Sequence, residues 1–298
     1  MSTDYALANR KVLSKVRQFV RRQSVGRFWA MACTYVLLLA GAIAVTIPFV
    51  WMVSSSLKKQ SQLVTFPPMW IPNPILWKNY VEAMTILPFG TFVLNTLKIT
   101  FGATIGALIS SSLVAYSFAR LRWRGRDTVF FLLLLTMMLP SQITMIPRFV
   151  VFARLGWVNT FLPLIVPAWF AGPFNVFLIR QFFMTLSPEM DDAARIDGAG
   201  ILGIYWRIML PLSKPVLATV ALFAFRNRWN AFIGPLIYLH DYKKFTAAIG
   251  LRYFVTFTTV DYSLEMAAST CMTIPVLLVF FFGQRYFIQG IVFTGVKG

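Results

Sequence analysis

Six long apolar stretches constrain this chain more than any other feature of its sequence. Hydrophobic residues make up 58% of its 298 residues, and its mean hydropathy is +0.68. About 20 apolar residues in a helix cross the ~30 Å hydrocarbon core of a bilayer, and a helix satisfies its own backbone hydrogen bonds there. We therefore predict an all-α membrane protein with six transmembrane helices. Their expected bounds are residues 28–54, 92–118, 128–146, 160–179, 215–239 and 266–282.

The basic residues predict the orientation of these helices. Most of the 28 Lys and Arg residues lie before the first span, between alternate pairs of spans and after the sixth, and such loops stay in the cytosol. Both termini are then cytosolic. We divide the chain into a basic N-terminal segment, residues 1–27, and a six-span domain, residues 28–298. The first segment is expected to be an amphipathic helix on anionic lipid or a simple topogenic anchor, and the net charge of +18 requires no nucleic acid.

A polar segment between the fourth and fifth spans has the pattern of two short helices joined by a glycine. Ser187 suits an N-cap, and Pro188 suits the first helical position. Gly198 stands where a helix needs a left-handed residue. A second helix, residues 201–209, is expected to stop before Pro211. We predict a cytosolic helix–turn–helix from Ser187 to Pro211.

Three basic residues lie inside the apolar stretches: Lys98 in the second, and Arg226 and Arg228 in the fifth. At 1.5 Å per residue, the two arginines lie roughly 16–20 Å into a ~30 Å core. Each charge there costs at least ~2.5 kcal/mol and tends to mark a pathway. Trp229 offers a ring for stacking on a sugar, and Asn230 shares a helical face with Arg226. We predict a substrate path along these five residues; the alternative is that the arginines bind carbonyl groups or an acid of a partner chain.

Small residues recur at every fourth position of the second span, at Gly102, Gly106 and Ser110. This spacing lets two helices approach closely. We expect the close contact within this chain, and a subunit interface is the alternative.

Patterns typical of catalysis and metal binding are absent from the sequence. It has no H-E-x-x-H, G-x-S-x-G or G-x-x-x-x-G-K-[ST] segment, and its two cysteines, Cys33 and Cys271, lie inside spans. A secondary transporter would need carboxylates inside the membrane for proton or sodium coupling, yet all ten acidic residues lie outside the predicted spans. A secondary transporter is therefore only a remote alternative, and we predict neither an enzyme nor a resident cofactor or metal.

The polar segment resembles the EAA loop of bacterial ABC-importer permeases. It reads Asp192-Ala193-Ala194-Arg195-Ile196-Asp197-Gly198-Ala199, followed by Ile208-Met209-Leu210-Pro211. Other stretches are similar to sugar-type permeases, and the C-terminal end is similar to the shorter permease subunit of maltose-type importers. These stretches are Met138-Leu139-Pro140, Leu155-Gly156-Trp157-Val158-Asn159-Thr160, Trp229-Asn230-Ala231-Phe232 and Gly290-Ile291-Val292-Phe293-Thr294-Gly295-Val296-Lys297-Gly298.

The resemblance implies a permease subunit of a binding-protein-dependent importer in the bacterial inner membrane. Its implied partners are a second homologous permease, an ATPase homodimer that binds ATP and Mg²⁺, an extracytoplasmic solute-binding protein and membrane lipid. The residues implied to couple it to the ATPase are Asp192, Ala193, Ala194, Asp197, Gly198 and Pro211, with Asp192 in a position where the family usually has Glu. The arginines inside the membrane favour an acidic oligosaccharide, an oligouronate from alginate or pectin, as the solute, and a neutral oligosaccharide or polyol is the alternative.

Overall fold

Helices form the whole of the regular structure in the residues that the structure describes. This computed structural model describes the backbone of residues 2–256 and 261–295 and the side chains of residues 29–255 and 261–284. No strand occurs in those ranges. The α-helices are α1 (Ser2–Ser56), α2 (Gln60–Leu63), α3 (Lys78–Thr85), α4 (Phe89–Arg120), α5 (Arg126–Leu135), α6 (Ser141–Arg154), α7 (Leu162–Ile165), α8 (Pro173–Thr185), α9 (Glu189–Ile196), α10 (Ile201–Ile204), α11 (Leu210–Leu212), α12 (Lys214–Trp229), α13 (Ile233–Tyr238), α14 (Ala247–Thr256) and α15 (Tyr262–Gly295).

The chain divides into two units, Met1–Ser54 and Ser55–Gly298. The first unit is helical, and the part of α1 from Trp29 onward is long and apolar enough to cross a membrane, with a mean hydropathy of 2.4. The amphipathic face predicted for residues 1–27 depends on side chains outside the described residues. That domain boundary stays a prediction.

Four helices of the described chain are long and apolar enough to cross a membrane, and two bent pairs raise the number to as many as six. The four are Trp29–Ser56, Phe89–Arg120, Leu162–Thr185 and Tyr262–Gln284; the bent pairs are Arg126–Met138 with Ser141–Arg154, and Ile201–Leu212 with Lys214–Trp229. The predicted fold class, an all-helical protein with several membrane spans, is confirmed.

The third predicted span, residues 128–146, is not one helix. The segments before and after Pro140 meet at an angle of 98°. A proline disfavours the helical conformation in the residue before it, and Leu139 is extended, with φ −77° and ψ 119°. The prediction of a continuous span was wrong, because Pro140 ends the first segment.

The fourth predicted span, residues 160–179, is interrupted after Trp169. There Ala171 has a positive φ of 41°, and α8 starts two residues later at Pro173. Proline suits that first helical position because its missing N–H needs no partner there. The span therefore consists of two short helical pieces followed by α8.

The fifth predicted span, residues 215–239, also breaks. Its first helix, α12, ends at Trp229, and α13 begins at Ile233. Pro235 lies in the first turn of α13, where a proline is tolerated; inside a continuous helix it would remove a hydrogen bond and clash with the preceding turn. Residues 230–232 therefore leave the helix, and the expectation of one continuous helix was wrong.

The small residues of α4 pack closely against the interrupted fourth span. A Cβ at Gly106 would lie 2.3 Å from the ring of Trp169. That indole donates a hydrogen bond from Nε1 to the carbonyl oxygen of Gly102 at 3.2 Å, and the backbone N–H of Ala171 donates to Ser110 Oγ at 3.1 Å. The close approach is within this chain, as expected.

Two buried apolar clusters hold the functional segments in place. One contains Phe92 of α4, Trp229 of α12 and Ala268 of α15. The other contains Tyr116 of α4 and Tyr205 of the polar segment, together with residues of α8. The second cluster therefore fixes the polar segment to the C-terminal end of α4 and to α8.

Candidate functional site

The polar segment begins with α9, whose N-cap residue is Pro188 and not the predicted Ser187. The Ser187 hydroxyl lies next to this helix start and accepts a hydrogen bond from the backbone N–H of Glu189 at 3.3 Å. Three acids follow in the first turn of α9, where the helix dipole favours negative charge.

Gly198 makes the turn after α9, as the sequence predicted. Its φ is 82°, and its N–H donates to the carbonyl oxygen of Arg195 at 3.0 Å. The N–H of Ala199 donates to the carbonyl oxygen of Ala194 at 2.9 Å. This pair of bonds is a Schellman motif, in which glycine takes the left-handed position without steric cost. The turn thereby fixes the direction in which the next helix leaves.

The second helix does not stop before Pro211, so that prediction was wrong. It continues from α10 through a π-helical turn, Tyr205–Met209, into α11. The N–H of Leu210 donates to the carbonyl oxygen of Tyr205, five residues earlier. A π turn holds one residue more than an α turn, and Pro211 then lies in the first turn of α11, where its missing N–H needs no partner. The chain accommodates the proline by widening the helix.

Five of the six predicted coupling residues are exposed: Asp192, Ala193, Asp197, Gly198 and Pro211. Ala194 is buried in the same cluster as Tyr205, whereas Ala193 is exposed, because neighbouring residues of a helix point about 100° apart. Large apolar side chains are exposed next to the acids; Ile196 is 87% exposed, and Trp206 is also exposed. We call the exposed side chains of Asp192, Ala193, Ile196, Asp197, Leu202 and Trp206 the candidate coupling surface.

Asp192 forms an ion pair with Arg195 at 3.2 Å on this surface. Both side chains are more than half exposed, and exposed pairs contribute little to stability. The carboxylate is therefore available to a partner at small cost.

Sequence analysis missed a buried ion pair beneath the candidate coupling surface. Arg120 Nε lies 3.6 Å from Asp191 Oδ2, and both side chains are less than a tenth exposed. Arg120 also donates from Nη2 to the carbonyl oxygen of Leu186 at 2.9 Å. The acid next to the predicted one was visible in the sequence, but a single sequence does not show which basic residue faces it.

Arg228 lines a cavity of about 230 Å³ between α4, the fourth span with α8, and α12. The other polar side chains of the lining are Asn175 and Asn227, and Phe174 and Phe223 contribute aromatic rings. Within the described part of the chain, Arg228 has no ion pair with a carboxylate. The cavity can accept a small polar group beside one guanidinium and two amides.

The remaining predicted path residues do not meet at this cavity. Arg226 and Lys98 are exposed, and Asn230 lines a separate cavity of about 420 Å³ with residues of α14 and α15. The predicted path is therefore not continuous in this structure.

Trp229 does not present its ring to either cavity. It is 1% exposed, stacks on Phe225 with centroids 5.6 Å apart, and donates from Nε1 to the carbonyl oxygen of Met272 at 3.0 Å. A buried tryptophan packs its large apolar ring and satisfies its one donor in this way. The role of stacking on a sugar is not supported, because the ring belongs to the core.

Comparisons with known proteins agree with a transport protein of many helices. The model of the family described as "Binding-protein-dependent transport system inner membrane component" matches residues 102–292. The arabinooligosaccharides transport system permease protein AraQ of Halalkalibacterium halodurans is 37% identical over 228 residues, which cover 76% of this chain and 81% of that protein. The sn-glycerol-3-phosphate transport system permease protein UgpE of Yersinia pestis is 34% identical over 267 residues, which cover 87% and 94%.

Solved structures share the fold. One match is a chain of a bacterial ABC transporter involved in the import of the acidic polysaccharide alginate. It is 26% identical and has a TM-score of 0.78, and the match covers 88% of this chain and 97% of that one. A chain of a bacterial alginate ABC transporter in complex with alginate pentasaccharide-bound periplasmic protein has a TM-score of 0.65 at 17% identity, covering 88% of this chain and 94% of that one.

The all-helical, multi-span fold, the family model and these relatives together identify a membrane permease subunit. The chain belongs to the family of binding-protein-dependent transport system inner membrane components. It is a multi-pass protein of the inner membrane, and its relatives are ABC transport permeases of the sugar type. Because the chain belongs to this family, the remote alternative of a secondary transporter no longer applies.

Proposed function

We propose that this chain is the permease subunit of a binding-protein-dependent ABC importer for an acidic oligosaccharide, an oligouronate of the alginate or pectin type. One observation carries the choice of solute: Arg228 lines a polar cavity inside the helices with Asn175 and Asn227. The 26% identical chain of the alginate transporter supports the same choice.

The chemistry of the cavity suits a uronate. A guanidinium binds a carboxylate through two parallel hydrogen bonds, and this fork is specific for planar anions. The amides of Asn175 and Asn227 offer both donors and acceptors to sugar hydroxyl groups. A charge pair away from bulk water is also stronger than the same pair in water. Arg228 would therefore distinguish a uronate from a neutral sugar.

The same proposal includes the rest of the importer. A second homologous permease completes the path, an extracytoplasmic solute-binding protein delivers the solute, and an ATPase homodimer binds ATP and Mg²⁺. Both termini of this chain are cytosolic, and the candidate coupling surface docks on the ATPase. Closure of the ATPase dimer moves α9 and α10, and the spans then change from inward to outward access. This chain supplies a lever and part of the path, and it performs no catalysis.

A neutral oligosaccharide or a polyol is the second candidate. Arg226 and Arg228 both lie in the last turn of α12, where cations offset the partial negative charge of the helix C-terminus. This placement gives the arginines a structural role without an acidic solute. The 37% identical relative is an arabinooligosaccharide permease by name.

The test compares Arg228→Gln with Arg226→Gln in the reconstituted complex. With an acidic oligosaccharide as solute, Arg228→Gln should lower uptake at least tenfold, because a bidentate charged contact is lost. Arg226→Gln should have a smaller effect, since Arg226 does not line the cavity. Arg228→Lys is the matched control, because it keeps the charge and removes the fork. Uptake of neutral sugars alone by the wild-type complex would show that the solute is not acidic.

A further inference from the structure

One guanidinium joins three helices directly beneath the candidate coupling surface. Arg120 is the last residue of α4. Its Nη2 donates to the carbonyl oxygen of Leu186, which caps the end of α8, and its Nε faces Asp191 in the first turn of α9. Arg120 therefore gives a movement of α9 a direct polar route to α4 and α8, in addition to the apolar packing of the second cluster.

The Arg120–Asp191 pair is buried, but its two charged groups are not within hydrogen-bond distance. Its Nε–Oδ2 distance of 3.6 Å exceeds the 2.7–3.2 Å of an N–H···O hydrogen bond. Within the described residues, Arg120 Nε and Asp191 Oδ1 have no hydrogen-bond partner. Buried ionic groups without full hydrogen bonding are unfavourable. A shift of α9 toward α4 by less than about 1 Å would bring Arg120 Nε and Asp191 Oδ2 within hydrogen-bond distance.

The surroundings leave room for that shift. Arg120 and Asp191 line an open cavity of about 870 Å³ between the end of α4 and α9. The second helix of the segment is held independently: Tyr116 Oη donates to the carbonyl oxygen of Ile201 at 3.2 Å, and the hydroxyl groups of Ser112 and Tyr205 share a hydrogen bond of 2.7 Å. Loss of the ion pair should therefore loosen α9 while α10 stays attached to α4.

We propose that Arg120 and Asp191 are positioning residues, a buried clasp that transmits the movement of α9 to the membrane helices. The inference rests on the proposed coupling of this chain to an ATPase. It concerns neither the solute nor the residues that contact the ATPase. The clasp closes when α9 is pressed toward α4, and the end of α8 moves with it through Leu186.

The experiment uses the assembled importer in proteoliposomes with its binding protein and a transported sugar. Arg120→Gln and Asp191→Asn should each lower the ratio of solute-stimulated to basal ATP hydrolysis at least fivefold, with the ATPase still co-purifying at the wild-type ratio. Asp191→Glu should keep most of the stimulation, because its longer carboxylate can still reach Arg120. Asp127→Asn is the matched control, since Asp127 pairs with Arg126 at 2.9 Å but is largely exposed, and it should behave as wild type.

Two outcomes in the variants overturn the clasp. Wild-type stimulation in Arg120→Gln and Asp191→Asn would show that the pair does not transmit movement. Loss of the ATPase from the purified complexes would show that the pair only maintains the docking site. If the wild-type complex itself shows no stimulation by solute, the proposed importer function fails, and this result is distinct from both.

Discussion

Arg226 and Arg228 lie at the C-terminal end of α12, where free carbonyl groups carry partial negative charge. That environment stabilises a cation by roughly 0.3–1 kcal/mol, and by ~2 kcal/mol in a favourable buried site. A charged residue at the middle of the membrane costs about 2.5–3.5 kcal/mol. The carbonyl groups therefore offset only part of the cost for each arginine. For Arg228, the polar cavity with its two asparagines can supply the remainder.

At Gly198 we expect Val to uncouple transport from ATP hydrolysis. A Cβ there would meet no atom within 4 Å, so the whole penalty comes from the φ of 82°, about 1–2 kcal/mol for a left-handed residue. The turn should open while the membrane fold persists, as measured by thermal unfolding and solute-stimulated ATP hydrolysis. Gly200→Val is the control, because Gly200 has φ −74° and is equally uncrowded. Normal stimulation in Gly198→Val would count against the coupling assignment.

The sequence predicted some residues of the site and could not predict others, for physical reasons. Gly198 was predictable because the left-handed conformation after a helix is a local requirement that glycine meets without steric cost. Arg226 and Arg228 lie about 200° apart around a regular helix, so a regular α12 presents only one of them to a given cavity. Which one does so, and that Trp229 packs into the core, depends on the rotation of α12 against α4 and α15, and this rotation is a property of tertiary packing.

At the scale of helices, apolar composition predicts where spans exist but not whether they are continuous. Apolar residues are favourable in lipid whether or not their helix bends, so composition alone predicts one span over residues 128–146. The local rule at Pro140 carried the missing information, since it restricts Leu139 to an extended conformation. The π turn before Pro211 had no comparable signal, because a proline fits either a helix end or a widened turn.

We predict that Gly106→Ala destabilises the packing of α4 against the fourth span. The new Cβ would lie 2.3 Å from the ring of Trp169, and overpacking of this kind costs about 1–3 kcal/mol. Gly90→Ala, in the same helix with no atom within 4 Å of its Cβ, should be neutral or slightly stabilising. Thermal unfolding of the detergent-solubilised chain measures both. Equal midpoints for the two variants would contradict the packing described for α4.

On the scale of the whole molecule, the second buried cluster joins the polar segment to α4 and α8. This continuity gives a reason why a contact on α9 and α10 can affect the spans, since a well-packed interior transmits displacement. The sequence indicated both the polar segment and the membrane helices through the resemblance to permeases. It did not show how the polar segment is attached to the helices, because this depends on contacts such as that of Tyr116 with Tyr205, 89 positions apart.

The proposed topology predicts opposite accessibility for two exposed side chains. In a variant without Cys33 and Cys271, Ile196→Cys should react with a membrane-impermeant maleimide only in inverted vesicles, and the bound ATPase should protect it. Phe66→Cys lies between the first and second predicted spans, which is the outer side when both termini are cytosolic, and it should react only in spheroplasts. Both native side chains are more than four-fifths exposed, so labelling reports sidedness rather than burial. Labelling of Ile196→Cys from outside would reverse the orientation.

The two arginines of α12 should also make the conformational balance of the transporter depend on the membrane potential. Inside the described chain they have no acidic partner, so any motion of α12 along the membrane normal carries two positive charges through the transmembrane field. The field is worth about 2.3 kcal/mol per charge for 100 mV. A displacement through one sixth of the hydrocarbon then changes the balance between inward- and outward-facing states by about 0.8 kcal/mol, or roughly fourfold. An inside-negative potential, set with valinomycin and potassium, should favour the state in which α12 lies nearer the cytosol, and Arg226→Gln with Arg228→Gln should abolish this dependence. Turnover in a living cell would thus differ from turnover in detergent, because only the cell supplies the voltage.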